Sequence, residues 1–177
     1  METMTSRERF SRMYAHKEAD RVPITDIPWQ GTISRWQREG MPAGADWREY
    51  FGVDKVEGIS VDISPRYPCT VVEDNARYQI VTSPWGVTMK QFKEEDSTPE
   101  FLDFKVCTPE AWEEAKARMA YSPDRIPWDY LRDAYPRWKA EGSWIQAGFW
   151  FGFDVTHSWM AGTETLLIAL LEEPEWV

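Results

Sequence analysis

"DKVEGISVDISPRYPCTVVEDNARYQIVTSPWGVTMKQF", residues 54–92, decides the fold. It begins with a run rich in valine and isoleucine, residues 56–63, whose alternation reads as a strand ending at Asp62. Two shorter runs follow, residues 70–73 and 78–82, split by Asp74-Asn75, which is the polar punctuation of a β-hairpin. Pro84-Trp85-Gly86 makes another turn, and residues 87–92 read as a third strand of the same meander. The first strand belongs with flanking helices, whereas the meander pairs with itself. Which of the two carries the architecture is settled by what lies on either side.

Toward the N-terminus, Thr5-Ser6-Arg7-Glu8 has the spacing of a capping box, and Phe10, Met13 and Tyr14 follow on one helical face. This predicts a helix over residues 6–16. Pro23 biases Val22 to extended geometry, so residues 22–26 read as a short strand ending at Asp26. A short helix around Ile33 and Trp36 ends at Gly40, and Asp46 caps another that stops at Gly52. Toward the C-terminus, residues 93–100 read as a charged loop and residues 101–106 as an edge strand. Thr108-Pro109-Glu110 is a strong helix start, with cap, N1 proline and acid in order. Residues 128–141 read as a helix broken or kinked at Pro136. A strand over 143–148, a short helix over 156–161 and a last helix from Gly162 to Leu171 complete the chain. Strands at 22–26, 56–63 and 143–148 alternate with helices, which favours a parallel α/β sheet or barrel with the meander inserted. Three such units do not close a barrel.

The 177 residues suffice for one domain, predicted to span 1–177. With 42% hydrophobic and 28% charged residues, the chain can bury a core. A net charge of −10 and no basic stripe disfavour a nucleic-acid partner. The segment METMTSRERF lacks an apolar signal region, and no run approaches the roughly 18 apolar residues of a membrane span. Cys69 and Cys107 form no CxxC and read as reduced, buried thiols in a cytoplasmic protein. Aromatic residues reach 15%, with 11 Trp. Core packing accounts for many of them. Trp29, Trp36, Trp85, Trp150 and Trp159 also admit a pocket for a sugar or a flat ligand.

"MTSRERFSRMYAHKEADRVPI", "YFGVDKVEGISVDIS", "SPWGVTMKQF" and "GFWFGFDVTHSWMAGTETLLIALLEEPEWV" together resemble the uroporphyrinogen decarboxylase superfamily, which includes cobalamin-linked methyltransferases. The resemblance implies the N-terminal part of a (β/α)8 TIM-type barrel, with the remainder missing by truncation or supplied by another chain or a second copy. It implies a tetrapyrrole-related ligand or a corrinoid protein as partner. On the methyltransferase branch it implies zinc and a corrinoid, with the zinc ligands outside this segment. A non-catalytic half-barrel that needs a partner chain is the further alternative.

Ligands of such barrels bind at the C-terminal ends of the strands. That placement nominates Asp26 and Asp62 as catalytic carboxylates, and Trp29, Gln30, Phe149, His157 and Ser158 as substrate-binding residues. Asp62 matches the decarboxylase aspartate that accepts pyrrole N–H groups and stabilises a cationic intermediate. Either aspartate equally suits a turn cap. Ser158 falls where the family has a pocket tyrosine. The arginine-rich segment that binds substrate carboxylates in the decarboxylases is replaced by "PWQGTISRWQREG", whose Arg35 and Arg38 read as a solvated helix face. His16 reads as a structural residue at a helix end.

Overall fold

The computed structural model describes residues 3–94 and 97–177. The chain divides into two compact units, one drawn from the segment ending at Val61 together with Ile126–Gly148, the other from Asp62–Arg125 and Phe149–Val177.

In the first unit, helix α1 spans Ser6–Tyr14. The Thr5 hydroxyl accepts from the Glu8 amide at 3.2 Å, and the Glu8 carboxylate accepts from the Thr5 amide at 2.9 Å. This is the predicted capping box, and it satisfies two otherwise orphaned donors. At the other end, Lys17 N–H reaches Arg12 O at 2.8 Å and His16 N–H reaches Met13 O at 3.0 Å. That pair of bonds defines a Schellman stop, and His16 occupies its left-handed position at φ 52. The inner face of α1 carries two buried residues, Phe10 and Arg9. Phe10 stacks on Trp144 with ring centroids 5.2 Å apart, and Tyr14 adds a second ring at 5.5 Å.

Arg9 is the hub of an ion network. Its Nε and one terminal nitrogen each donate to Asp20 at 2.7 Å, and its other terminal nitrogen donates to Asp54. Arg21 reaches the second Asp54 oxygen at 2.7 Å, and the Ile24 amide reaches that oxygen at 2.9 Å. The Asp54 side chain has no solvent exposure. Burial pushes its carboxyl up, but the Ile24, Arg21, Ser6 and Arg9 donors outweigh burial and hold it below its ordinary value. Asp20 is held low chiefly by Arg9.

Helices α2, Gln30–Arg38, and α3, Trp47–Phe51, follow. Asp46 caps α3 by accepting from the Arg48 amide at 2.8 Å, and Gly52 ends it in the left-handed region, both as predicted. Strand β1, Val56–Ser60, pairs in parallel with the later strand β6, Trp144–Gly148, from Val56 opposite Trp144 to Ser60 opposite Gly148. These two strands make the whole parallel sheet among the described residues.

The barrel expectation is therefore overturned. The described residues form a mixed α/β structure with a two-stranded parallel sheet and a separate four-stranded antiparallel sheet, and no barrel closes. The predicted strand at 22–26 does not form. Pro23 within it and Pro28 just beyond it remove ladder donors. Ile24 spends both backbone groups on Asp54, donating to its carboxylate and accepting from its amide at 2.9 Å. Val22 and Ile27 are 77% and 91% exposed, so no core rewards pairing here.

In the second unit, strands β2, Val71–Asp74, β3, Tyr78–Thr82, β4, Val87–Phe92, and β5, Glu100–Phe104, form an antiparallel meander in sequence order. The hairpin between β2 and β3 turns on Asn75, whose side-chain oxygen accepts from the Arg77 and Tyr78 amides at 2.9 and 3.0 Å. The charged loop predicted over 93–100 includes Glu95 and Asp96, which lie outside the described residues. Helix α4, Pro109–Arg118, begins at Thr108 with Pro109 in its first turn. The core gathers Tyr67, Val106, Ala115, Val155 and Met160, with Trp85, Trp112 and Met119 against them. Tyr67 donates to Glu114 at 2.8 Å, and burial followed by that carboxylate pushes its phenol up to about 12.

Back in the first unit, helix α5 spans Trp128–Ala140 and runs through Pro136. The break expected at Pro136 does not occur. Pro136 is exposed while Ala134 and Trp138 are buried, so the lost hydrogen bond falls away from the packed face. Gly142 ends the helix at φ 71, where a Cβ would lie 2.7 Å from Thr5 Cγ2.

Replacing Asp54 with Ala removes the carboxylate partner of Arg21 and one of the two carboxylates that hold the buried Arg9, and is expected to cost about 3–5 kcal/mol in urea unfolding. Asp20 and Asp54 both have lowered folded-state values. Their stabilisation is present above about pH 4 and is lost as pH falls below it. Unfolding midpoints across this range should drop more steeply in the native protein than in the Asp54→Ala variant. His16→Gly relieves a left-handed non-glycine residue and should raise stability by about 1 kcal/mol, read as an increased Tm.

Candidate functional site

The segment after β6 reads Gly148-Phe149-Trp150-Phe151-Gly152-Phe153. Gly152 adopts φ 74 and ψ −153, a region essentially closed to other residues, and turns the chain into the short helix α6, Phe153–Val155. A π-helical turn, Thr156–Met160, continues directly from it. The π character is carried by Ala161 N–H donating five residues back to Thr156 O at 2.8 Å. Val155 and Met160 are buried at its two ends. His157, Ser158 and Trp159 are half-buried between them. Such π turns concentrate at functional sites.

His157 Nδ1 lies 2.8 Å from Phe153 O, and His157 Nε2 lies 2.8 Å from Ser158 Oγ. A carbonyl only accepts, so Nδ1 carries the proton and Nε2 accepts from the serine hydroxyl. The Phe153 ring lies on the imidazole at 4.7 Å and 15°. In the same unit, Phe149 and Phe151 lie 5.4 Å apart, Trp150 and Trp159 5.9 Å, and Phe101 and Trp159 5.7 Å. Phe149, Trp150, Phe151 and Phe153 are all exposed, Phe151 to 75%. Beside them opens a cleft of about 420 Å³, lined by Trp112, Phe153, Met160, Leu166 and Trp176 among others. The result is an aromatic shelf with one oriented imidazole and one hydroxyl.

The structure thus brings His157 and Ser158 into direct contact, on the same segment as Phe149. Asp62 also belongs to this unit. Its Oδ1 accepts from the Ser64 amide and hydroxyl at 3.0 and 2.7 Å, and its Oδ2 accepts from Arg66 Nε at 2.6 Å. Burial pushes the Asp62 carboxyl up, but the Ser64 and Arg66 bonds prevail and keep it low. It is a fixed, ionised turn cap whose charge Arg66 partly matches. Asp26, Trp29 and Gln30 belong to the other unit. Asp26 is exposed and accepts from the Ile27 amide at 2.8 Å. Trp29 caps α2 through its backbone and Gln30 opens that helix. Arg35 pairs with Glu39 at 2.7 Å on an exposed face, as the sequence indicated.

Zinc finds no fit. Among the described residues no group of three or more His, Cys, Asp or Glu could hold a metal ion. Cys69 is exposed, contrary to the expectation of burial. Cys107 donates to Phe104 O at 3.1 Å, and burial pushes its thiol up, away from the thiolate that zinc requires.

Arg125 was not singled out by sequence reasoning. It is buried and donates to the carbonyls of Ala120 at 3.0 Å and of Asp62 and Ser64 at 2.9 Å, and also to Arg118 O. It thereby ties the end of α4 to the Asp62 turn. Phe151 and Phe153 were also overlooked, although the "FWFGF" run around Gly152 signals them.

Compared with models of known families, with curated proteins and with solved structures, the chain matches none. No helix among the described residues is long and apolar enough to cross a membrane.

Arg125→Met orphans four carbonyls and should cost about 3 kcal/mol or more in chemical unfolding, whereas Asp62→Asn should cost about 1 kcal/mol. Equal effects would contradict the clamp.

Proposed function

We propose that the chain acts as a uroporphyrinogen decarboxylase-like enzyme on a tetrapyrrole-related ligand, with the segment from Phe149 to Ser158 as its ligand platform. One observation carries this reading, the run of exposed aromatic rings on the segment that also carries an oriented His157–Ser158 pair. Each large apolar side chain left in water forgoes roughly 1.5–3 kcal/mol of burial. Contiguous apolar surface of this kind marks interaction sites. A tetrapyrrole-related ligand supplies what the rings lack, which is a set of pyrrole faces with the geometry for offset stacking. The polar groups at the shelf then orient the ligand, as a few placed polar groups do in mostly apolar sites.

Asp62 is the carboxylate assigned to the reaction. It is ionised and held by Ser64 and Arg66, so it offers fixed negative charge toward a pyrrole ring that becomes cationic before carbon dioxide leaves. Asp26, the other candidate, is exposed with a local hydrogen bond and has less to hold it in place. A cytoplasmic location accords with the free Cys69 and Cys107.

The test is a titration with metal-free uroporphyrin and coproporphyrin, followed by quenching of tryptophan emission. Saturable quenching is expected, and a Trp150→Ser/Phe153→Ser variant should bind roughly tenfold more weakly or worse. Absence of quenching with either porphyrin rejects the platform. With uroporphyrinogen as substrate, Asp62→Asn should slow carbon dioxide release by about a hundredfold with little change in affinity. An unchanged rate removes Asp62 from the reaction.

A further inference from the structure

The last helix, α7, Thr163–Glu172, is apolar around most of its circumference. Leu166 and Ala169 are buried on its inner side. Leu166 and Leu170 line the cleft of about 420 Å³ together with Trp112, Met160 and Trp176. Leu167, Ile168 and Leu171 are exposed, Leu171 to 85%. Their i, i+1, i+4 spacing sets these three on one stripe, and Glu164 lies one turn ahead on the same stripe. A helix that is apolar on all sides is ordinarily covered on all sides. Here one side is covered and the other faces water. The charge is as uneven as the burial. Glu164 precedes the stripe, Glu172, Glu173 and Glu175 follow it, and residues 158–177 contain no lysine, arginine or histidine. Among the described residues none of these four carboxylates has an ion-pair partner. Glu172 and Glu173 stand at the C-terminal end of α7, where the helix dipole is already negative. A cation brought to that end relieves both the unpaired charge and the dipole.

We propose that the outer stripe of α7 and the cleft beside it form a docking surface for an amphipathic helix of a partner protein, apolar on one face and flanked by lysine or arginine. One large apolar side chain of that helix enters the cleft, as an anchor enters a pocket at the centre of an interface. Others at i, i+3 and i+4 spacing cover Leu167, Ile168 and Leu171. The flanking cations meet Glu164 at one end and Glu172 and Glu173 at the other, which fixes direction and steers the approach. A second copy of this chain fits poorly. Antiparallel pairing of two α7 helices sets Glu164 against Glu172 and Glu173 of the other copy, parallel pairing sets each glutamate against itself, and each chain carries a net charge of −10. An anionic membrane surface is disfavoured by the same sign of charge. The stripe lies outside the Phe149–Ser158 platform, and the docking needs no tetrapyrrole.

The experiment uses three labelled synthetic peptides of about 18 residues, long enough to form a helix on the surface. Two share leucines at i, i+3, i+4 and i+7 and differ in carrying lysine or glutamate at the flanks. The third keeps the lysines and scrambles the leucine spacing. Binding to the full chain is read by fluorescence anisotropy, with circular dichroism to establish that each variant is folded. The patterned lysine peptide is expected to bind at least about tenfold more tightly than either of the others, and to weaken as salt is raised. Leu171→Asp, at a side chain already in water, should weaken that peptide about tenfold or more. Glu172→Gln/Glu173→Gln should remove most of the preference for lysine over glutamate flanks. No binding of the patterned lysine peptide, equal binding of all three, or indifference to Leu171→Asp overturns the proposal. Self-association in sedimentation that Leu171→Asp abolishes assigns the stripe to a second copy, and flotation with phosphatidylserine vesicles that the same change abolishes assigns it to a membrane. Either result overturns the partner helix.

Discussion

The buried Arg9–Asp54 contact is the constraint on which the first unit depends. A guanidinium and a carboxylate taken out of water cost several kcal/mol each unless every donor and acceptor finds a partner. Here they do. Asp20 takes two nitrogens of Arg9, Asp54 takes the third, and Arg21 and the Ile24 amide complete Asp54. Because the four charges come from α1, from the turn after it and from the approach to β1, satisfying them brings three distant stretches of chain to one point. The same network helps to explain why residues 22–26 join no sheet. Both backbone groups of Ile24 and the Val22 carbonyl have already been spent.

The second unit is organised differently. Its meander closes through local pairing, and its core is apolar except where Tyr67 reaches Glu114 and where Arg125 gathers carbonyls. The candidate site sits on the part of this unit held least by regular structure. A glycine-only turn, a three-residue helix and a π turn present His157 and Ser158 between two buried anchors, Val155 and Met160. That arrangement gives precise side-chain placement on an irregular backbone, at the cost of leaving several aromatic rings in solvent.

What the sequence made legible follows the range of each interaction. Thr5 and Glu8, Asp46 and Gly52, Thr108 and Pro109, and the Asn75 turn all act within a few residues, and each formed as its pattern indicated. Residues 22–26 looked like a strand because Asp54, which captures Ile24, is thirty positions away. Pro136 looked like a break because its exposure depends on which face of α5 is packed. The barrel expectation came from resemblance and from counting alternating strands, and it failed because one of the three strands never paired. At the site, Phe149, His157 and Ser158 were nominated from their place after a strand of the barrel that the chain resembles, and Phe151 and Phe153 were missed. The partner of each His157 nitrogen was missed as well, since a π turn has no clear signature in residue order.

Strand β2 offers a final consequence. It lies at the edge of the meander, and Val71 and Val72 on it are exposed, so its outward backbone groups form a template for another chain. The same strand ends in Glu73 and Asp74. Two copies approaching edge to edge bring like charges together, and this repulsion acts as a gatekeeper against fibrillar self-association. Neutralising these two side chains, as in a Glu73→Gln/Asp74→Asn variant, removes the gatekeeper and exposes the protein to aggregation along this edge.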